Sequence, residues 1–388
     1  MALRSDLRFT CLSLKNWRNF GQCALDLAPR AFLVGPNAAG KSNLLDVFRF
    51  LRDVVATGGG LQAALGRRGG VSALRALHAR RDPEIRITAS IGTDAGRAMW
   101  RYELGFRGTR NAPATITTER ITRGKALILD RPGPEDRDDS RRLTQTHLEQ
   151  ISTNREFREL VDFLASTEYL HVVPQLIRDP DRLTSRHGSM FGTDLIQRIA
   201  ETKGRTRQPR LDRITRALQV AVPQIETIDL QQDARGLWHI RAKYQHWRPQ
   251  GTAQGAWQTE ESFSDGTLRL LGLLWALQEP GGPLLLEEPE LSLHPAVVRR
   301  LPSLFARAQR GRGRQIIVTT HSEALLADEG IGLDEVFLLR PQQEGTEVVA
   351  ANEMAEVRAL LDGGVSLGEA VLPRVAPARP EQLSLLDL

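Results

Sequence analysis

Four short stretches of the 388-residue chain carry side chains whose types and spacing suit chemistry on phosphates. The first is Gly35-Pro36-Asn37-Ala38-Ala39-Gly40-Lys41-Ser42, followed by Asn43, in the spacing G-x-x-x-x-G-K-[ST]. Backbone N–H groups of such a loop, with the start of the helix behind it, cradle phosphate oxygens. Lys41 is placed to reach the β- and γ-phosphates of ATP, and the Ser42 hydroxyl to ligate Mg2+. The second stretch, Leu284-Leu285-Leu286-Glu287-Glu288-Pro289-Glu290, is an apolar strand that ends in carboxylates. Glu287 is placed to hold Mg2+, directly or through water, and Glu288 to polarise the attacking water as general base. The third, Gln315-Ile316-Ile317-Val318-Thr319-Thr320-His321-Ser322, ends another apolar strand in a histidine. An isolated histidine is more often structural, but the order after the acidic strand favours contact of His321 with the γ-phosphate or the water. The fourth is Ser264-Asp265-Gly266-Thr267, which suits a plain helix N-cap. It equally suits an anion-facing turn that offers a hydroxyl, N–H groups and a helix dipole.

These side chains need strands to aim them and helices to follow them. Short apolar or alternating runs predict strands at Phe9–Leu14, Gln22–Leu27 and Ala31–Val34, then a helix over Ser42–Arg52. Strand patterns recur at Ile85–Ile91, Met99–Phe106, Thr115–Ile121 and Ala126–Leu129, which predicts an antiparallel sheet on the first lobe. The segment Arg131 to Arg142 reads as a charged surface loop. Helical patterns dominate from Thr144 to Val220, strands follow at Ile225–Leu230 and Leu237–Tyr244, and helix–strand alternation runs on from Ser264. The expected architecture is α/β, with a mixed or parallel sheet, flanking helices, an antiparallel β lobe and a mostly helical insertion. Its expected domains are an N-terminal lobe 1–143, a helical insertion 144–222, a C-terminal lobe 223–371 and a tail 372–388.

Composition removes several function classes. With 41% hydrophobic and 26% charged residues the chain buries a core and is not disordered. No apolar run approaches the roughly 20 residues of a membrane helix. The start, with Arg4, Asp6 and Arg8, lacks the apolar stretch of a secretory signal. Cys11 and Cys23 then read as buried thiols of a cytoplasmic protein. The net charge of +5 comes almost wholly from arginine, as expected from a GC-rich genome or from an affinity for phosphate backbones. Lys203, Arg205, Arg207, Arg210, Arg213 and Arg216 are either a solvated helix face or a phosphate-binding stripe for DNA.

The phosphate loop, the Ser-Asp-Gly-Thr turn, the Glu-Glu-Pro-Glu-Leu-Ser-Leu-His-Pro run from Glu287 and the Thr-Thr-His-Ser end, in this order, resemble the ABC-type ATPases of the RecF, SMC and OLD group. The opening Leu12-Ser13-Leu14-Lys15-Asn16-Trp17-Arg18-Asn19-Phe20 is similar to that group's N-terminal strand and turn. The likeness covers Leu7 to Val55 and Phe263 to Arg340. It implies an ABC-type P-loop NTPase core and an ATPase with ATP and Mg2+ as cofactors. Arg18, Asn19 and Asn43 join the loop at the nucleotide. It further implies a head-to-tail homodimer in which Ser264, Gly266 and Thr267 of one subunit touch the γ-phosphate held by the partner's Lys41. Glu287 departs from the family's usual Asp by one methylene.

The Toprim metal domain of OLD nucleases and the long coiled coil of SMC proteins have no counterpart in the sequence. The resemblance therefore implies a stand-alone switch working in DNA repair or antiviral defence with a separate nuclease or other effector. The alternatives are an ABC transporter ATPase subunit, disfavoured by the Ser-Asp-Gly-Thr signature and the long insertion, and a nucleotide-binding regulator with little turnover. Near the end, Gln382-Leu383-Ser384-Leu385-Leu386 resembles the short motif by which bacterial proteins dock on the sliding clamp, with Leu386 where an aromatic is usual. A tail without any partner is the competing expectation.

Overall fold

Alternation of apolar and polar side chains lays down β1, Arg8–Trp17, with Leu12 and Leu14 pointing into the core. A bulge between Phe9 and Cys11 shifts the phase, so Phe9 is buried three residues before Leu12. The same bulge leaves Cys11 half-buried, which corrects the expectation that both thiols are buried. Cys23 is buried, and burial pushes its thiol up to about 12. The structure, a computed structural model, describes residues 6–77, 79, 82–93, 98–108, 112–178, 192–245 and 256–376. Two compact units divide the chain: Met1–Glu168, Gly281–Leu285 and Gln309–Leu388 form one, Tyr169–Pro280 and Leu286–Ala308 the other.

The first unit continues with β2 (Phe20–Asp26), β3 (Arg30–Val34), β4 (Ile85–Gly92), β5 (Ala98–Arg107), β6 (Thr115–Arg123) and β7 (Ala126–Arg131). All but β3 form an antiparallel sheet in the order β2-β1-β4-β5-β6-β7. Its core face carries Ile85, Ile87, Ala89 and Ile91 from β4, and Trp100, Tyr102, Leu104 and Phe106 from β5. Strands β8 (Glu168–Leu170), β9 (Ile225–Gln232), β10 (Trp238–Tyr244), β11 (Ala256–Thr259), β12 (Leu284–Glu287), β13 (Ile316–Thr320), β14 (Val336–Gln342) and β15 (Gly345–Ala350) complete the set. A second sheet has the order β15-β14-β3-β13-β12-β8. Its strands β14, β3 and β13 are parallel, and β15 is antiparallel to β14. Every residue of β3 and β13 is buried, as expected of parallel strands covered on both faces. Helix Lys41–Val55 packs by Phe48 on Phe9, whose ring also meets Phe163.

Segment 131–142 lies mostly at the surface, as expected, but two of its charged residues, Arg131 and Asp136, turn inward. Arg131 is buried and donates to Glu119 at 2.7 Å and to Asp136 at 2.7 Å. A one-turn helix, Pro134–Asp138, delivers Asp136 inward. The burial of Arg131 was not legible in the charged run because its pairing carboxylate, Glu119, lies on another strand.

In the second unit, β11-β10-β9 form an antiparallel sheet. Helix Gly204–Leu218 packs on β9 and on helix Asp265–Ala276. The latter is apolar nearly all round and buries Leu268, Leu271 and Trp275. The helical expectation for Thr144–Val220 holds for Arg158–Ala165, Leu195–Glu201 and Gly204–Leu218, with β8 as an unforeseen strand. Among the described residues, no helix is long and apolar enough to cross a membrane.

Candidate functional site

The register of β3 and β13 places the glycine-rich loop and the histidine within the first unit. Val34 lies beside Thr320, so Gly35 and His321 leave the sheet at the same edge, the carboxyl ends of parallel strands where ligands bind in such sheets. His321 is exposed there. Between Gly35 and Gly40 the chain turns through Ala38 at φ 64° and Gly40 at φ 98°, and helix Lys41–Val55 begins with no side-chain cap. Its first N–H groups therefore face the loop, and at 15 residues the helix is long enough to carry a full dipole. The Lys41 ammonium donates to the carbonyls of Gly35, at 2.8 Å, and Pro36, at 3.1 Å, within the loop's own concavity.

Arg18 and Asn19 hold this loop from behind. The Asn19 amide donates to the carbonyl of Ala39 at 3.0 Å and to the Thr346 hydroxyl at 2.7 Å. Its oxygen accepts from the Asn43 amide at 2.7 Å. Arg18 pairs with Asp46 at 3.0 Å on the first turns of the helix. Burial pushes the Asp46 carboxyl up, but the hydrogen bonds and charges of Arg68, Arg49 and Arg18 outweigh it and hold the group below its ordinary range. The Trp17 indole donates to the Asn43 carbonyl at 2.9 Å, so one short turn reaches four points of the loop and helix.

The second unit carries the carboxylates and the signature turn. Glu287 ends β12, and Glu288 follows with φ 43°, a left-handed conformation that a non-glycine residue adopts at a cost of about 1–2 kcal/mol. The Glu287 side chain accepts a short hydrogen bond from the Tyr169 hydroxyl, and its carbonyl lies 3.3 Å from Nδ1 of His171. Ser264 caps helix Asp265–Ala276, accepting from the Thr267 N–H at 3.1 Å, and its hydroxyl meets that of Thr267 at 2.8 Å. A Cβ on Gly266 would sit 2.6 Å from the Ser292 carbonyl, so only glycine fits against the loop after the acidic strand. Arg178 donates to Asp265 at 2.5 Å and to the Phe263 carbonyl at 2.8 Å, bracing the turn. Arg269, one turn along, lines the same small cavity as Glu287 and Glu288. Burial pulls its guanidinium down, opposed by the charges of Asp265 and Glu288.

A profile described as "AAA domain, putative AbiEii toxin, Type IV TA system" matches residues 30–327, well over half the chain. The chain belongs to this family. Among solved structures, the AAA domain is similar to the SmcHead bound to the C-winged helix domain of ScpA, with TM-score 0.51 and 16% identity over 88% of this chain and 97% of that one. The Smc head domain with an extended coiled coil bound to the C-terminal domain of ScpA, from Pyrococcus furiosus, gives 0.52 and 13% over 92% and 99%. The Smc head domain with a coiled coil and joint from Pyrococcus yayanosii gives 0.50 and 12% over 92% and 99%. At these identities the likeness is one of fold: an α/β, ABC-type P-loop NTPase fold. Among curated proteins none matches significantly. Family and fold together are those of nucleotide-binding P-loop domains.

Tyr169, His171, Arg178, Arg269 and Thr346 were not singled out in the sequence. The run Glu168-Tyr169-Leu170-His171-Val172-Val173 before Pro174 has strand alternation that signals β8, but nothing in it signals a partner 118 positions away. Two of the six residues of the basic stripe are engaged in packing. Arg207 lies over the Trp238 ring at 6.0 Å and Arg210 over Trp275 at 5.5 Å, while Lys203, Arg205, Arg213 and Arg216 are exposed, Arg213 with a surface bond to Gln278 at 2.8 Å. Gln382, Leu383, Leu385 and Leu386 lie outside the described residues.

Proposed function

We propose that this AAA domain is an ATP-driven molecular switch that closes into a head-to-tail dimer on ATP and opens on hydrolysis. The observation that carries it is Lys41 donating to two carbonyls of its own loop beneath an uncapped helix start. Those donors match the phosphate oxygens of ATP, which displace the carbonyls from the ammonium on binding. Ser42 and Glu287 are of the chemistry that would hold Mg2+, a hydroxyl and a carboxylate, and the ion when bound would supply positive charge against the phosphates. Glu288 takes the proton of the attacking water, and His321 contacts the γ-phosphate or that water. The partner copy offers Ser264, Gly266 and Thr267, whose shared cap on a helix start suits an anion.

In this reading the switch acts in the cytoplasm on DNA or on a partner bound to DNA, with a separate nuclease or other effector, in repair or antiviral defence. Exposed Lys203, Arg205 and Arg216 supply the cationic contacts. Docking on a sliding clamp through Gln382, Leu383, Leu385 and Leu386 belongs to the same proposal. The test is ATP hydrolysis with and without duplex DNA, alongside sedimentation with and without ATP. Stimulation by DNA and an ATP-dependent doubling of mass are expected. An ATPase indifferent to DNA that stays monomeric with ATP overturns it.

A further inference from the structure

We propose that Tyr169 is a positioning residue for Glu287, fixing the direction of its carboxylate and thereby setting how much Mg2+ nucleotide binding requires. This role rests on Glu287 being the Mg2+-side carboxylate.

Glutamate in place of the family's usual aspartate adds one methylene and one torsion to the side chain. An untethered carboxylate then samples more directions, and each ordering event costs entropy. The structure supplies a tether. The Tyr169 hydroxyl donates to Oε2 of Glu287, an O–H···O⁻ bond of the stronger, charge-assisted kind. Two residues on, His171 approaches the Glu287 carbonyl at 3.3 Å, so the side chain and the backbone of one residue are both held from β8 and its end. Residues two apart on a strand face the same way, which is why one short strand reaches both groups. Partners of this kind behind a metal-ligating carboxylate fix its orientation, and their loss lowers metal affinity by about ten- to a hundredfold.

The experiment is equilibrium binding of a fluorescent ATP analogue to the full chain, titrated with Mg2+ and repeated in EDTA. Tyr169→Phe is expected to need about tenfold more Mg2+ for half-maximal tightening, with affinity in EDTA unchanged. Glu287→Gln is expected to raise the Mg2+ requirement too, and the double variant to be no worse than Glu287→Gln alone. If Glu287→Gln raises the requirement and Tyr169→Phe does not, the positioning role is overturned while Glu287 keeps its own. If Glu287→Gln leaves the requirement unchanged, Glu287 is not a Mg2+-side group and both ideas fall. Equal losses with and without Mg2+ in Tyr169→Phe mark a merely structural tyrosine and also overturn the role.

Discussion

The amide of Asn19 donates to the carbonyl of Ala39 at 3.0 Å and so ties the turn after β1 to the floor of the phosphate loop. The approach is close enough that a Cβ on Gly40 would lie 2.1 Å from the Asn19 nitrogen, at a φ of +98° that side chains rarely adopt. Asn19→Ala leaves the Asn43 amide without this partner while the Ala39 carbonyl keeps its bond from the Thr346 hydroxyl at 2.9 Å, so a cost of about 1 kcal/mol is expected. Gly40→Ala is expected to cost at least as much, through strain as well as displacement of Asn19. Both lower the melting temperature and weaken ATP binding. Unchanged ATP affinity in both variants would show that Asn19 does not shape the loop.

Hydrolysis separates from binding at two residues. Lys41→Ala is expected to weaken ATP binding itself. Glu288→Gln retains binding but lowers turnover by about a hundredfold or more, because the loop stays intact while the base is gone. It also traps the ATP-bound dimer. Phosphate release measured beside nucleotide binding decides, and parental turnover in Glu288→Gln removes Glu288 as the base.

The signature turn is tested by bulk and charge. Ser264→Arg is expected to leave ATP binding to a single copy intact and to block ATP-dependent dimerisation. Sedimentation velocity with ATP reads the outcome; an undiminished dimer refutes the composite site.

Arg131 stands between Glu119 and Asp136 with all three side chains buried. Arg131→Ala removes the shared cation and leaves two carboxylates in the interior, which is expected to cost about 3–5 kcal/mol. Urea unfolding monitored by tryptophan fluorescence measures it. A loss below about 1 kcal/mol would mean that water or another cation takes over the arginine's place.

The same cluster makes stability depend on pH. Burial, then the charge of Arg131, pulls His147 from its ordinary 6.5 down to about 4. Above the ordinary value both folded and unfolded forms are neutral, and stability is full. As pH falls from 6.5 towards 4, the unfolded chain takes up a proton that the folded one refuses, so stability declines through that window. Burial raises Glu119, which works in the opposite direction, since the folded state then takes up its proton first. His147→Gln is expected to flatten the decline between neutral pH and pH ~5. An identical slope in the variant would show that other groups set the acid response.

The strand and helix on either side of Gly35–Ser42, the strands that end at Glu287 and Thr320 and the helix start capped by Ser264 were legible in the sequence, because each is a local pattern of fixed period and spacing. The strands from β1 to β7 were legible for the same reason, to within a few residues at their ends. Partnerships between segments far apart in the chain were not legible in this way. Thr346 meets Asn19 from 327 positions away, and Tyr169 meets Glu287 from 118. No spacing rule links such pairs, since sheet order and strand register bring them together. The register of β3 against β13 likewise puts Gly35 and His321 at one edge. Charge misled at Arg131, because a run of charged residues looks the same in sequence whether water or a buried Glu119 satisfies it. The half-burial of Cys11 was not legible either, because one bulged residue shifts which side chains of β1 face inward.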